Sequence, residues 1–173
     1  VLHQVATSST TKPATGQPAM GLVHCASMLY RTADRSTRLS GDQQTPLVTF
    51  ADGLNQTILT TPQMDYSDAA KTALLAGPGM LHVKQPAKGN QAATHLNVTW
   101  ADHCNVKLFE NSNVVQQVEA VGDVKVDHPQ IKMASNDIAL SFLRDPKEPD
   151  KSLLHQMLAS GEVDCDLSDK LHP

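Results

Sequence analysis

One spacing recurs along this chain and limits its fold more than any other feature. Met28, Tyr30, Leu39 and Gly41 return as Met64, Tyr66, Leu75 and Gly77, each displaced by 36 residues with no gap. The same elements return more loosely as Val98, Trp100, Ala120 and Gly122, and again as Leu140, Phe142, Ala159 and Gly161. A repeat of this length marks a supersecondary unit stacked on copies of itself. Each unit reads as an apolar-x-aromatic strand end, a turn, and a small-x-Gly step into a second strand. The stretch between aromatic and Gly lengthens from 10 residues to 21 and 18 in the later units. A hairpin connection tolerates that growth, because the cost of closing a loop rises slowly with its length.

The rest of the pattern is short alternation broken by Gly, Pro, Asn and Asp, which is the signature of strands. Leu96, Val98 and Trp100 share one face, as do Val124 and Val126, and Ile138, Leu140 and Phe142. Asp52-Gly53 reads as a hairpin turn. Residues 68–75 and 151–158 carry helix propensity, but the repeat assigns both to strands or their turns. A Gly before each second strand permits a positive φ or a bulge. Repeated at every turn, that bend curls stacked hairpins into a trough. The expected fold is therefore all-β, one domain of repeated antiparallel hairpins curled into a trough over residues 21–173, with an ordinary β-sandwich as the alternative. Residues 6–19 are almost all small, polar or Pro, so residues 1–20 are expected to be a flexible linker, with strands beginning near Leu22. The start at Val1, without an initiator Met, reads as an excised or processed segment.

Composition excludes some functions. A net charge of −4 argues against a phosphate-binding surface and against nucleic acid as the main partner. No apolar run reaches the roughly 18 residues a spanning helix needs. The chain carries no G-x-S-x-G, no H-E-x-x-H and no P-loop, so no enzyme class is indicated. Asp65, Asp68 and Asp137 near strand ends read as solvated turn residues. His24-Cys25 and His103-Cys104 are adjacent pairs whose side chains face opposite sides of a strand, so a metal would need both pairs to converge, with Cys165 as a further ligand. Cys25 and Cys165 read more simply as buried small hydrophobes; three cysteines allow one disulfide at most. Asn55 and Asn97 open glycosylation sequons, which matter only in a secreted eukaryotic protein. Residues 144–151 mix charges with two prolines and read as an exposed loop.

The most specific wording lies in the second half: Val118-Glu-Ala-Val-Gly-Asp-Val-Lys-Val126, then Ile131 to Phe142, then Leu158-Ala-Ser-Gly-Glu-Val163. This resembles the OstA-like repeat of the lipopolysaccharide-transport proteins, in which "A-x-G-x-V-x-V" followed by "A-x-x-L-x-Y/F" recurs. The first half fits through Met28, Tyr30 and Leu39-Ser-Gly41, and through Met64, Tyr66 and Leu75-Ala-Gly77. The chain departs from the pattern in its longer turns and in Pro78, where a polar residue is commoner. The resemblance implies an OstA-like β-jellyroll folded like a taco, located in the periplasm of a Gram-negative-type cell, with a tether upstream of Val1 as a further expectation. It implies lipopolysaccharide or a related glycolipid as ligand, and other jellyroll modules as partners through edge-strand stacking. It implies no cofactor and no enzymatic activity.

The residues expected to line the apolar groove are the periodic set. They are Met28 and Tyr30, Val48 and Phe50, Met64 and Tyr66, Leu81 and Val83, Val98 and Trp100, Val124 and Val126, with Ile138, Leu140 and Phe142. Such a lining removes acyl CH₂ groups from water at ~0.8 kcal/mol each. A structural or adhesive β-repeat scaffold with a packed core and no lipid is the competing reading. A metal-binding secreted module is the third.

Overall fold

The computed structural model describes residues 22–51, 57–85, 94–110, 112, 114–129, 131–144, 146 and 152–167. They form fourteen strands, and no helix occurs among the described residues. The strands come in couples separated by a corner. β1 (Leu22–His24) leads into β2 (Ser27–Arg31), and β3 (Ser36–Ser40) into β4 (Val48–Ala51). β5 (Thr57–Thr61) leads into β6 (Gln63–Ser67), and β7 (Thr72–Ala76) into β8 (Gly79–Gln85). β9 (Thr94–Trp100) leads into β10 (His103–Leu108). β11 (Val115–His128) and β12 (Ile131–Arg144) are single long strands that span both sides of the corner. β13 (Ser152–Ser160) then leads into β14 (Asp164–Leu167). Each couple or long strand is one rung, which makes eight rungs.

Pairing is antiparallel throughout and builds two walls. The front wall runs β1-β4-β5-β8-β9, then the second half of β11, the first half of β12, and β14. The back wall runs β2-β3-β6-β7-β10, then the first half of β11, the second half of β12, and β13. The corners line up as a hinge between the walls. A buried cluster closes across it: Leu75, Cys104, Ala120 and Ile138 of the back wall pack with Val98, Trp100, Val126 and Met133 of the front. The sheet is thus folded on itself, as the bend at each Gly step predicts.

Two kinds of corner alternate. Gly41, Gly77, Gly122 and Gly161 stand where the even rungs turn from back wall to front. The last three have φ of 81°, 86° and 88°, a region in which a Cβ is penalised. The odd rungs turn the other way, and in the third and seventh a buried hydroxyl stands at the corner. Buried Thr61 sets its hydroxyl against the carbonyls of Gln63 (3.1 Å) and Ala76 (3.0 Å), and buried Ser135 donates to the Asp137 carbonyl (3.0 Å). Each buried hydroxyl is thereby satisfied by backbone carbonyls at its corner.

Register corrects the alignment of the later repeats. Met28 pairs with Leu39 and Met64 with Leu75, as the gap-free spacing requires. The residues facing Ala120 and Ala159 are Cys104 and Ile138, so these two, not Val98 and Leu140, are the counterparts of the methionines. The counterparts of Tyr30 and Tyr66 are then Val106 and Leu140. Trp100 ends its strand at the hinge, whereas the tyrosines lie toward the outer ends of the back wall. Residues 68–71 are a turn and residue 72 begins β7, while β13 starts at Ser152, so neither segment with helix propensity is helical. The expected linker and the Asp52-Gly53 turn lie outside the described residues.

Candidate apolar trough

Alternation along each rung, combined with the register, sorts the side chains into rows on one face. On the back wall, the row nearest the hinge reads Met28, Leu39, Met64, Leu75, Cys104, Ala120, Ile138 and Ala159. The next reads Tyr30, Thr37, Tyr66, Ala73, Val106, Val118, Leu140 and Met157. On the front wall one row reads Val23, Phe50, Leu59, Leu81, Val98, Val126, Met133 and Cys165. Nearer the hinge, Val48 pairs with Thr61, Gly79 with Trp100, and Val124 with Ser135. Val83 follows Leu81 by two residues and Phe142 follows Leu140 by two, so both share this face. All fifteen residues selected from the sequence therefore point to the inside of the fold. Leu39, Leu59, Leu75, Val106, Val118 and Met133 join them. Cross-strand register brought these in; their local alternation alone was too weak to select them.

Burial grades across this face. The floor at the hinge is filled by the chain itself: Trp100 is 3% exposed, and Val124 and Leu75 are sealed. The Trp100 ring lies on Gly79, where any Cβ would collide with it, and its Nε1–H donates to the Gly77 carbonyl at 3.1 Å. Tyr66, Leu81, Val83, Leu140 and Phe142, farther from the hinge, are half-buried. At the first rung the inner face is bare, with Met28 64% and Tyr30 53% exposed. Cys104 lies in the floor, where burial and then the nearby Glu119 carboxylate push its thiol up to about 12. It is inert at neutral pH.

The outer face has different chemistry. The row Leu29, Arg38, Asp65, Leu74, Asn105, Glu119 alternates with the inner ones. A depression of about 450 Å³ is lined by Asp65, Leu74, Asn105, Lys107 and Glu119 together with Tyr66, Ala73 and Val106 of the neighbouring row, and so mixes polar and apolar surface. Asp65 is partly desolvated, which resists ionisation, but hydrogen bonds from Arg38 and Gln63 outweigh this and hold its carboxyl below the usual range. The His-Cys pairs are four rungs apart, and no group of three metal-binding side chains converges among the described residues. The three cysteines are free; Cys104 is buried, whereas Cys165 is exposed and Cys25 only half-buried, so the burial expected of these two is not found where they sit on the last and first rungs with strands on one side only among the described residues.

No protein-family model and no curated protein sequence matches the chain. Its fold does match a solved structure. The crystal structure of LptH, the LptA-homologous periplasmic component of the lipopolysaccharide transport device of Pseudomonas aeruginosa, superposes with a TM-score of 0.57 at 13% identity. The match covers 87% of this chain and 96% of that one. This chain has the LptA-like β-jellyroll fold. The resemblance seen in the repeat wording is thereby matched by architecture over most of both chains.

Proposed function

We propose that this protein is a periplasmic bridge module for lipopolysaccharide or a related glycolipid, shielding acyl chains between its two walls. The observation that carries this is the inward face: an apolar surface continuous from the first rung to the last, sealed at the hinge and half-open away from it. An acyl chain laid against Tyr66, Leu140 and Phe142 leaves water at ~0.8 kcal/mol per CH₂. Hydrophobic burial has no direction, which suits passage more than storage. The chain supplies no driving force, so direction comes from a partner machine.

Stacking of modules follows from the same rows. Rungs alternate in direction and there are eight, so the first and last run opposite ways. A second module added to the last rung continues the antiparallel sheet. In unbroken register Met28 meets Ala159, Leu29 meets Leu158, Tyr30 meets Met157, and His24 meets Asp164. Exposed apolar side chains gather on these two rungs: Leu22, Val23, Met28, Leu29 and Tyr30 on one, Met157, Leu158 and Leu167 on the other. Unpaired strand edges of this kind template further strands.

Photoreactive residues placed singly at Leu140, Phe142 and Lys125 test the groove with labelled lipopolysaccharide. Crosslinking from Leu140 and Phe142, but not from outward Lys125, is expected. Crosslinks only from Lys125 would sink the reading and favour the lipid-free scaffold, which the packed floor around Trp100 otherwise supports.

A further inference from the structure

Two of the three cysteines sit on opposite edges of the described sheet. Cys25 follows β1 in the first rung and Cys165 lies in β14 of the last, while Cys104 is sealed in the floor. Both edge thiols belong to the inner face. The register that pairs His24 with Thr49 carries Cys25 opposite Val48, which on its other side faces Thr61. The repeat agrees, since Cys25 stands 36 residues before Thr61, whose hydroxyl fills the equivalent corner. Cys165 pairs with inward Met133 and ends the row that Val23 begins. Within one copy the two thiols are seven rungs apart, so they cannot pair with each other.

The stacking register decides what they meet in a second copy. With His24 against Asp164, Val23 falls opposite Cys165 and Cys25 opposite Val163. Cys25 of one copy and Cys165 of the next are then diagonal neighbours on one face. Such positions lie roughly 7–8 Å apart, with their Cβ atoms nearer. A disulfide spans Cα atoms up to about 6.8 Å apart, so a shift of about 1 Å closes the gap. Cys25 stands at the corner between β1 and β2, outside both strands, where the backbone can supply that shift. A second copy also suits the rest of the joint. His24 comes against Asp164, with Asp166 two residues on, and exposed Leu22, Val23 and Val163 gain cover.

We propose that head-to-tail stacks of this chain are locked by a disulfide between Cys25 of one copy and Cys165 of the next. The inference rests on the stacking reading and adds a covalent, redox-controlled joint. The oxidant is a small-molecule or protein disulfide. The exposed Cys165 thiolate attacks one of its sulfurs, forming a mixed disulfide and releasing one thiol. Cys25 of the neighbour gives its proton to solvent, attacks the Cys165 sulfur and expels the second thiol. Two thiols thus become one S–S bond, and their two electrons and two protons go to the oxidant. Desolvation raises the Cys25 thiol above its ordinary value, which makes it the slower nucleophile. Docking offsets this by holding it beside the mixed disulfide. The periplasmic setting proposed above keeps such bonds oxidised.

The test follows the purified chain in glutathione buffers by sedimentation and non-reducing electrophoresis, with linked peptides mapped by mass. Oxidised wild-type protein should give a ladder of covalent multimers whose linked peptides join Cys25 to Cys165. C25S and C165S should each run as monomers, because each keeps only one edge thiol. Ser at position 25 repeats the hydroxyl corner of Thr61 and Ser135, so folding is kept. An equimolar mixture of the two variants should give a dimer and nothing larger. The ladder should form at least about tenfold more slowly in L158D, where thiols meet only at the free protein concentration. Covalent dimers of either single variant alone, or an undiminished ladder in L158D, would mean random oxidation and overturn the lock. Oligomers in sedimentation whose edge cysteines stay reduced in oxidising buffer would overturn the lock and leave the stacking standing. A chain that is monomeric in both redox states would overturn lock and stacking together.

Discussion

The middle of the molecule and its first rung present the same face to the same side, yet they end in opposite states. Rungs four to seven bury Leu75, Trp100, Cys104, Ala120, Val124 and Ile138 against one another across the hinge. The first rung puts Met28 and Tyr30 in the same rows and leaves them more than half exposed. Composition does not explain the contrast, because Met and Tyr are at least as apolar and large as Ala and Cys. Neighbours explain it: a middle rung is flanked on both sides and faced by the other wall, whereas the first, among the described residues, has strands on one side only. The middle supplies the stability and the ends supply unsatisfied surface. A row pattern that is identical along the chain therefore does two jobs, decided by position in the stack.

Substitutions separate the two regions. The largest effect belongs to Trp100→Ala, expected to cost about 3–5 kcal/mol in denaturant unfolding because the floor cannot collapse around the lost ring. Met28→Ala, in an equivalent row but bare, should stay within about 0.5 kcal/mol of wild type. Equal costs for the two would erase the distinction. Next comes self-association: Leu158→Asp should abolish concentration-dependent oligomers in sedimentation while leaving the melting temperature within a few degrees. Loss of folding instead would mean that the last rung belongs to the core. The smallest effect is alkaline. Cys104 has a raised pKa in the folded state, so its contribution is complete below the unfolded value near 9 and is lost as pH climbs from there toward about 12. Cys104→Ala should flatten that part of the stability profile, read from denaturant unfolding across the alkaline range.

Much of the inward face was legible locally. Period-two alternation needs only each strand's own residues, which is why Ile138, Leu140 and Phe142, or Val98 and Trp100, could be placed on one side without knowing their partners. The tyrosines and methionines were legible because two repeats match without a gap. Trp100 was misread as a counterpart of the tyrosines because an apolar-x-aromatic step looks alike at either end of a strand. Its seat over Gly79 at the hinge depends on contact between β8 and β9, which no local pattern encodes. The ion-pair cluster of Arg35 and Lys71 on Asp68 was invisible for a related reason: Asp68 had the ordinary look of a turn residue, and only the pairing of β3 with β6 brings Arg35 to it.

Strand identity, the inward face and the recurring bend were already set by the order of residues, since they follow from backbone sterics and side-chain alternation within a few positions. Which inward side chains seal the hinge, which stand bare at the ends, and which charges meet at the turns were settled by the folded sheet alone. Those outcomes depend on what lies across the wall or on the next rung, at separations where burial and Coulomb forces act through space and chain distance carries no information.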